Sequence, residues 1–240
     1  GFDIQHTPDK SYLLDYGISE DDRLESDIFA TRVRRDEYIR SSVIFFNTLR
    51  ENENNATQPT HLIDLAYDRR LSPERIGGEG FFGLNAHYRR RDSEATVDGD
   101  GDGLSDGLDV ARFSLSTGWK RRFIATSGVT FDIETMLGAD QYAIAQDANF
   151  ASSVTRGHAA AAMSFAYPLQ TRTQSGAVHV IKPQVQLVWS RIYGDDVPNE
   201  DATRVEFDEG NLFSLNRSPG FDNDEVGTRA NVGLSWTRVG

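Results

Sequence analysis

Apolar and polar residues alternate with a period of two along much of the chain. Ala111, Phe113, Leu115, Thr117 and Trp119 interleave with Arg112, Ser114, Ser116 and Gly118, and Val129, Phe131, Ile133 and Leu137 with Thr130, Asp132 and Glu134. Phe82, Leu84, Ala86 and Tyr88 stand against Gly83, Asn85, His87 and Arg89, and Ala230, Val232, Leu234 and Trp236 against Asn231, Gly233, Ser235 and Thr237. Successive side chains of a strand point to opposite faces, so each run predicts a strand with one apolar and one polar face. Weaker alternation over 24–33, 38–49, 62–67, 160–167 and 180–193 brings the expectation to about nine strands of eight to twelve residues. Ala159 to Met163, taken alone, also reads as a helical turn.

The connections between these runs alternate in length. Tight turns are expected near Arg35, at 72–77 and at 170–175, and long polar loops near 51–60, 91–109, 146–155 and 194–225. Long loops at one end and short turns at the other are the pattern of an outer-membrane β-barrel. The fold class expected is therefore all-β, an antiparallel transmembrane barrel domain over 1–240. Trp119, Tyr167, Tyr193 and Trp236 end apolar faces, where a ring suits the membrane interface. The polar faces, with Arg112, Asp132, Glu134 and Gln186, would line a hydrated interior or meet a plug. A soluble, secreted all-β module that binds carbohydrate through calcium has the same alternation and is the competing expectation.

Charge changes the picture in two ways. The 240 residues carry 25 Lys and Arg against 37 Asp and Glu, a net charge of −12. The scattered, outnumbered basic residues argue against nucleic acid as a partner. The acidity is also concentrated: 91–109 holds seven acidic residues and one basic, and 194–225 ten and two. There is no cysteine, which removes thiolate chemistry. The mean hydropathy of −0.51 comes with no apolar run long enough for a membrane-spanning helix.

From position 179 onward the residues resemble a known family. His179-Val180-Ile181-Lys182-Pro183, Gln186, Pro198-Asn199-Glu200-Asp201, Phe207-Asp208, Asn211-Leu212-Phe213 and Gly220-Phe221-Asp222, then Glu225, Gly227, Arg229, Asn231 and Gly233, resemble the LptD family of outer-membrane lipopolysaccharide-assembly proteins, in its alphaproteobacterial form. Ser11-Tyr12-Leu13, Tyr16-Gly17, Asp22-Arg23-Leu24, Phe45-Phe46 and Leu49-Arg50 resemble an earlier part of the same barrel. Two departures stand out: Lys182 takes the place of a common acidic residue, and the Asp-rich insertion near Asp98 is foreign to the pattern. The resemblance implies a wall of the outer-membrane translocon that inserts lipopolysaccharide into the outer leaflet. It also implies an LptE-like lipoprotein plug, and a periplasmic Lpt bridge reached through a domain outside this chain. The family positions carried over are His179, Pro183, Pro198, Asn199, Asp201, Asn211, Phe213, Gly220, Asp222, Glu225 and Arg229. The start at Gly1 and the Arg-Val-Gly ending lead us to expect an internal barrel segment.

The remaining chemistry lies in one loop. Asp98, Asp100, Asp102, Asp106 and Asp109 fall at positions one, three, five, nine and twelve, with Gly103 at six and the Leu104 carbonyl at seven, the ligand spacing of a calcium loop. A solvated acidic hairpin loop explains the same residues. His6, His61, His87, His158 and His179 show no HxH or HExxH spacing, and no nucleophile elbow or phosphate loop is present. We assign no catalytic residue and expect no enzyme, with calcium the one ion invoked. The 194–225 loop is expected to cap the barrel mouth, with Leu212, Phe213 and Phe221 packed inward and its carboxylates in water.

Overall fold

The alternating runs become strands because a period of two lets each satisfy its backbone against neighbours while sorting its side chains by polarity. The computed structural model describes residues 1–7, 9–204 and 207–240; Val205 and Glu206, within the expected 194–225 loop, lie outside the described residues. The elements are β1 (Phe2–Asp3), α1 (Tyr12–Asp15), β2 (Arg23–Val33), β3 (Glu37–Thr48), β4 (His61–Leu71) and β5 (Glu79–Arg90). They continue with β6 (Asp109–Ile124), β7 (Thr130–Ala145), β8 (Ser153–Ala166), β9 (Leu169–Arg172), β10 (Val178–Gly194) and β11 (Gly227–Val239).

All eleven strands form one antiparallel meander in the order β1-β2-β3-β4-β5-β6-β7-β8-β10-β11, with β9 also paired to β10. The sheet is not closed: β2 meets β1 at Phe2↔Ile28 and Asp3↔Asp27 alone, and β11 is paired with β10. This is a barrel-like single sheet, not a two-sheet sandwich. The nine expected strands are present, and the structure adds the short β1 and β9. Ala159 to Met163 lies in β8, so the helical-turn alternative is corrected; ladders to β7 and β10 hold the segment extended on both sides. Several strands also run further than the alternation indicated. β6 continues through Lys120, Arg121 and Arg122, where charge on both faces hides the period.

Register fixes which residues share a face. His87↔Arg112, Arg112↔Tyr142 and Gln186↔Asn231 place the polar rows of β5, β6, β7, β10 and β11 on one side. Arg89, Arg112, Ser114, Asp140, Arg156, Ser164, Gln186 and Asn231 on that side are buried, while Phe113, Leu115, Leu137, Met163, Leu187, Val232 and Leu234 on the other are exposed. A water-soluble sheet does the reverse. The buried clusters sit on the polar side as well, where Leu108, Val110, Tyr142, Ile144 and Val154 pack with Val197, and Ala160, Ala162 and Val188 pack with Leu215. Val197 and Leu215 belong to the long β10–β11 connection, so that segment is folded onto the polar face and covers it.

Pro183 illustrates how a strand accommodates a residue without an N–H. β10 pairs with β9 from Val178 to Ile181 and with β8 from Gln184 onward, so Pro183 falls in the break between the two partners. Its carbonyl still accepts the Tyr167 N–H at 3.1 Å.

Candidate functional site: a carboxylate-anchored loop over an arginine face

Three inward rows each bring an arginine close to the long-loop end of the sheet: Arg89 at the end of β5, Arg112 near the start of β6, and Arg156 near the start of β8. Uncompensated guanidinium groups at this depth would be costly, and a buried charge persists only when paired and hydrogen-bonded. The β10–β11 loop supplies the partner. Asp222 has 1% side-chain exposure. Its Oδ2 accepts Nη1 and Nη2 of Arg89, both at 3.1 Å, and its Oδ1 accepts Arg112 Nη1 at 3.0 Å. Arg156 reaches the backbone of the same turn, donating from Nη1 to the Asp222 carbonyl at 2.7 Å and from Nη2 to the Phe221 carbonyl at 2.9 Å.

The loop crosses itself at this point, and two aspartates tie the crossing. The N–H groups of Glu200 and Asp201 donate to Asp222 Oδ2 at 3.1 and 3.3 Å. In return the N–H groups of Phe221 and Asp222 donate to the Asp201 carboxylate at 3.0 and 2.8 Å. Arg112 also donates to Asp201 Oδ2 at 3.1 Å, and its guanidinium lies 4.5 Å from the Phe221 ring centroid. Glu200 pairs with both Arg89 and Arg91. Gly220 is required by this crossing: a Cβ there would stand 2.2 Å from Asp201 Oδ1 and 2.5 Å from the Asp201 carbonyl oxygen. Asn199 closes a turn with Ala202 through its side chain, and Pro198 is fully buried.

A second anchor lies along β10 and β11. Gln186 Nε2 donates to the Phe213 carbonyl at 2.9 Å, and Asn231 Nδ2 donates to Gln186 Oε1 at 2.8 Å. The Phe213 ring lies over Gly233, where a Cβ would come within 2.8 Å of it. Arg229 Nη2 donates to the carbonyls of Ser214 and Leu215, both at 2.7 Å, and Glu225 pairs with Arg229 at 3.0 Å and with Arg217. His158 faces Asp224 at 3.4 Å. Asn211 forms a local turn with Asp208. His179 stands apart, on the outward face, where Trp236 Nε1 donates to its Nδ1 at 3.1 Å and the rings stack.

Of the residues named from sequence, the structure therefore gathers Pro198, Asn199, Asp201, Asn211, Phe213, Gly220, Asp222, Glu225 and Arg229 into one folded loop with its anchors. His179 and Pro183 lie on the outward side of β10, away from it. The expectation that the loop carboxylates stay in water holds for Asp195, Asp196, Asp208 and Glu209 and is corrected for Glu200, Asp201 and Asp222, which are drawn onto the sheet by the arginines beneath them; Phe221, expected to pack inward, is instead half exposed over the Arg112 guanidinium. Arg89, Arg91, Arg156 and Tyr142 were missed as site residues. The signal for Arg89 on β5 and Arg156 on β8, as for Arg112 on β6, is an arginine of inward parity beside a long loop; Tyr142, whose hydroxyl accepts Arg156 Nη2 at 3.0 Å, carries no such signal.

Within the acidic loop of 91–109, carboxylate oxygens of Asp98, Asp100 and Asp106 lie within 4.8 Å of one another. Asp109 Oδ1 instead accepts the Arg91 N–H at 2.8 Å at the start of β6, Asp102 accepts the Leu104 N–H at 2.9 Å, and the Leu104 side chain packs against the cluster around Leu108.

Electrostatics of the loop set a pH expectation. Burial would raise Asp201, but the N–H groups of Asp222 and Phe221 together with Arg112 hold it below the ordinary carboxylate range. Glu225 is also lowered, chiefly by its hydrogen bond from Arg217. Burial raises Asp224, against the pull of His158 and Arg156. A lowered carboxylate stabilises the fold above its unfolded pKa of about 4 and loses that contribution as pH falls through its folded value. The raised Asp224 works in the opposite sense, binding its proton first as pH drops. Hydrogen exchange of the Glu200, Asp201, Phe221 and Asp222 amides, corrected for the intrinsic rate, is therefore expected to stay protected down to about pH 5 and to lose protection below about pH 4. Unchanged protection at pH 3 would contradict the carboxylate anchoring.

A family model for LptD, LPS transport system D, matches residues 1–239. No curated protein matches the chain.

Proposed function

The chain belongs to the LptD family, an outer-membrane lipopolysaccharide-transport family of β-barrels, and from that premise we propose that it forms part of the wall of the translocon that inserts lipopolysaccharide into the outer leaflet. The observation that carries this reading is the inversion of the sheet, with apolar rows exposed and polar rows buried under the loop. Such a sheet is at home with acyl chains outside and a hydrated, partly filled interior inside. Its unpaired edges have to be satisfied in lipid, so further strands close the barrel around it. The interior rows meet a plug lipoprotein of the LptE kind on the part the loop leaves free, and a periplasmic bridge delivers the substrate. No catalysis is required of any residue.

The loop anchored by Asp222 caps the outward mouth. Depleting the protein in its native bacterium and measuring newly made lipopolysaccharide at the cell surface tests the role. We expect surface lipopolysaccharide to fall while its synthesis continues; undiminished surface delivery would contradict the translocon reading.

The long loops in this reading face the phosphate-rich outer surface, and the Asp98–Asp109 loop takes a calcium ion there through Asp98, Asp100 and Asp106. The incomplete ligand set puts the affinity on the order of millimolar. Calorimetry of the intact protein should give a calcium-dependent heat that Asp98→Asn with Asp106→Asn abolishes; equal heats with calcium and with a chelator would contradict it.

A further inference from the structure

The charge of this sheet is sorted by end. The long loops carry the acid, whereas the short-turn end is rich in arginine. Arg34 and Arg35 occupy the β2–β3 turn and Arg75 the β4–β5 turn. Arg69, Arg121 and Arg238 stand on outward rows near strand ends, as their pairing with Phe82, Ile133 and His179 requires. None of the six forms an ion pair among the described residues; Glu37, Glu79 and Asp132 at this end are taken up by Arg32, Arg70, Lys120 and Arg122, and arginine and lysine still outnumber the carboxylates there, Asp36, Asp68, Glu74 and Glu134 included.

Aromatic rings mark the same level. Phe123, Phe131 and Phe165 stack in sequence across three strands, with centroids 6.0 and 4.7 Å apart. Trp119 donates its indole N–H to the Gly77 carbonyl at 2.8 Å, and Trp236 stacks on His179. Arg121 lies 4.6 Å from the Phe123 ring centroid. An arginine on an apolar outward row lays its stem along that row and carries its charge to the headgroup level. Arg121 also donates to the Ile76 carbonyl, which leaves its charge without a carboxylate partner; guanidinium groups so placed, at the level of the interfacial aromatics, are complementary to a phosphate-bearing surface of net negative charge.

We propose that the short-turn rim is a binding surface for anionic glycerophospholipid headgroups in the periplasmic leaflet, with Arg69, Arg121 and Arg238 as its outward contacts. The inference rests on the barrel reading above, in which short turns lie on the periplasmic side.

Trp119 and Trp236 serve as reporters. The intact protein is placed in vesicles of equal phosphatidylcholine and phosphatidylglycerol, with one lipid or the other brominated on its acyl chains. The contribution of the two rings is isolated by comparison with Trp119→Phe, Trp236→Phe protein. Brominated phosphatidylglycerol should quench these rings at least about twofold more than brominated phosphatidylcholine. The excess should disappear in an Arg69→Gln, Arg121→Gln, Arg238→Gln variant that keeps equal quenching by both lipids. Equal quenching in the unmodified protein, or a preference that survives the triple substitution, overturns the proposal while leaving the barrel in place. Absence of quenching by either lipid overturns the membrane placement and the proposal together.

Discussion

Replacing Asp222 by alanine is expected to release the β10–β11 loop and to cost about 3–5 kcal/mol, the range for breaking a buried ion pair by removing one partner. The size follows from what the change leaves behind. Arg89 and Arg112 have 4% and 3% side-chain exposure, so water cannot replace the lost carboxylate. The N–H groups of Glu200 and Asp201 lose their acceptor as well. Glu200 remains beside Arg89 and Asp201 beside Arg112, which keeps the loss below that of two wholly unpaired charges. Asp201→Ala, at a carboxylate with 30% exposure, should cost less, about 1.5–3 kcal/mol. The urea midpoint of loop release, followed in the intact protein by a label on exposed Asp208→Cys, gives both values. Planar-bilayer conductance should rise in the Asp222 variant. A midpoint shift worth under about 1 kcal/mol would mean that the loop is held by its apolar contacts instead.

Leu187→Arg is the second large effect, and it separates a membrane sheet from a soluble one. Leu187 lies in the middle of β10 with 55% exposure, between Met163 of β8 and Ala230 of β11. On a soluble surface an arginine at so open a position would change stability by no more than about 0.5 kcal/mol. Facing acyl chains near the bilayer midplane, it should cost about 2–4 kcal/mol. Gln184→Arg, three residues away on the opposite face, should stay within about 1 kcal/mol, because that side is hydrated. Urea titration of both variants refolded into phosphatidylcholine vesicles supplies the comparison. Equal effects at the two positions would contradict the assignment of faces.

The strands were readable because the period of two is a local property. Ala111 to Trp119 needs only its own residues to declare two faces, and the contrast between tight turns and long loops pointed to a barrel. What the alternation could not declare was the ends: β6 runs on through Lys120 to Ile124, where both faces become polar or mixed near the rim. β9 was hidden by Pro168 and by the turn signal at 170–175, and its partner in β10 is already long enough to stand as a strand alone.

The site was legible in part, and for a physical reason. The loop residues from Pro198 to Arg229 stand out by their resemblance to a family pattern, but charge summed along the chain does not show their role. Arg89 and Asp222 are 133 residues apart in sequence. Only the register of β5 to β8 brings three arginines under one loop, and once there they convert water-seeking carboxylates into anchors. Gly220 and Gly233 are explained the same way, since each is small because another part of the loop lies against it.

If the exposed apolar rows face lipid and the buried polar rows face a hydrated interior, adjacent residues of β10 meet different surroundings. Single spin labels at Val185, Leu187, Gln184 and Gln186, in the intact protein in vesicles, test it through collisions with oxygen, which concentrates in lipid, and with a water-soluble nickel chelate. We expect labels at Val185 and Leu187 to be accessible to oxygen and shielded from nickel. Those at Gln184 and Gln186 should be shielded from oxygen. A uniform response along β10, or nickel access at Val185 and Leu187, would contradict the account.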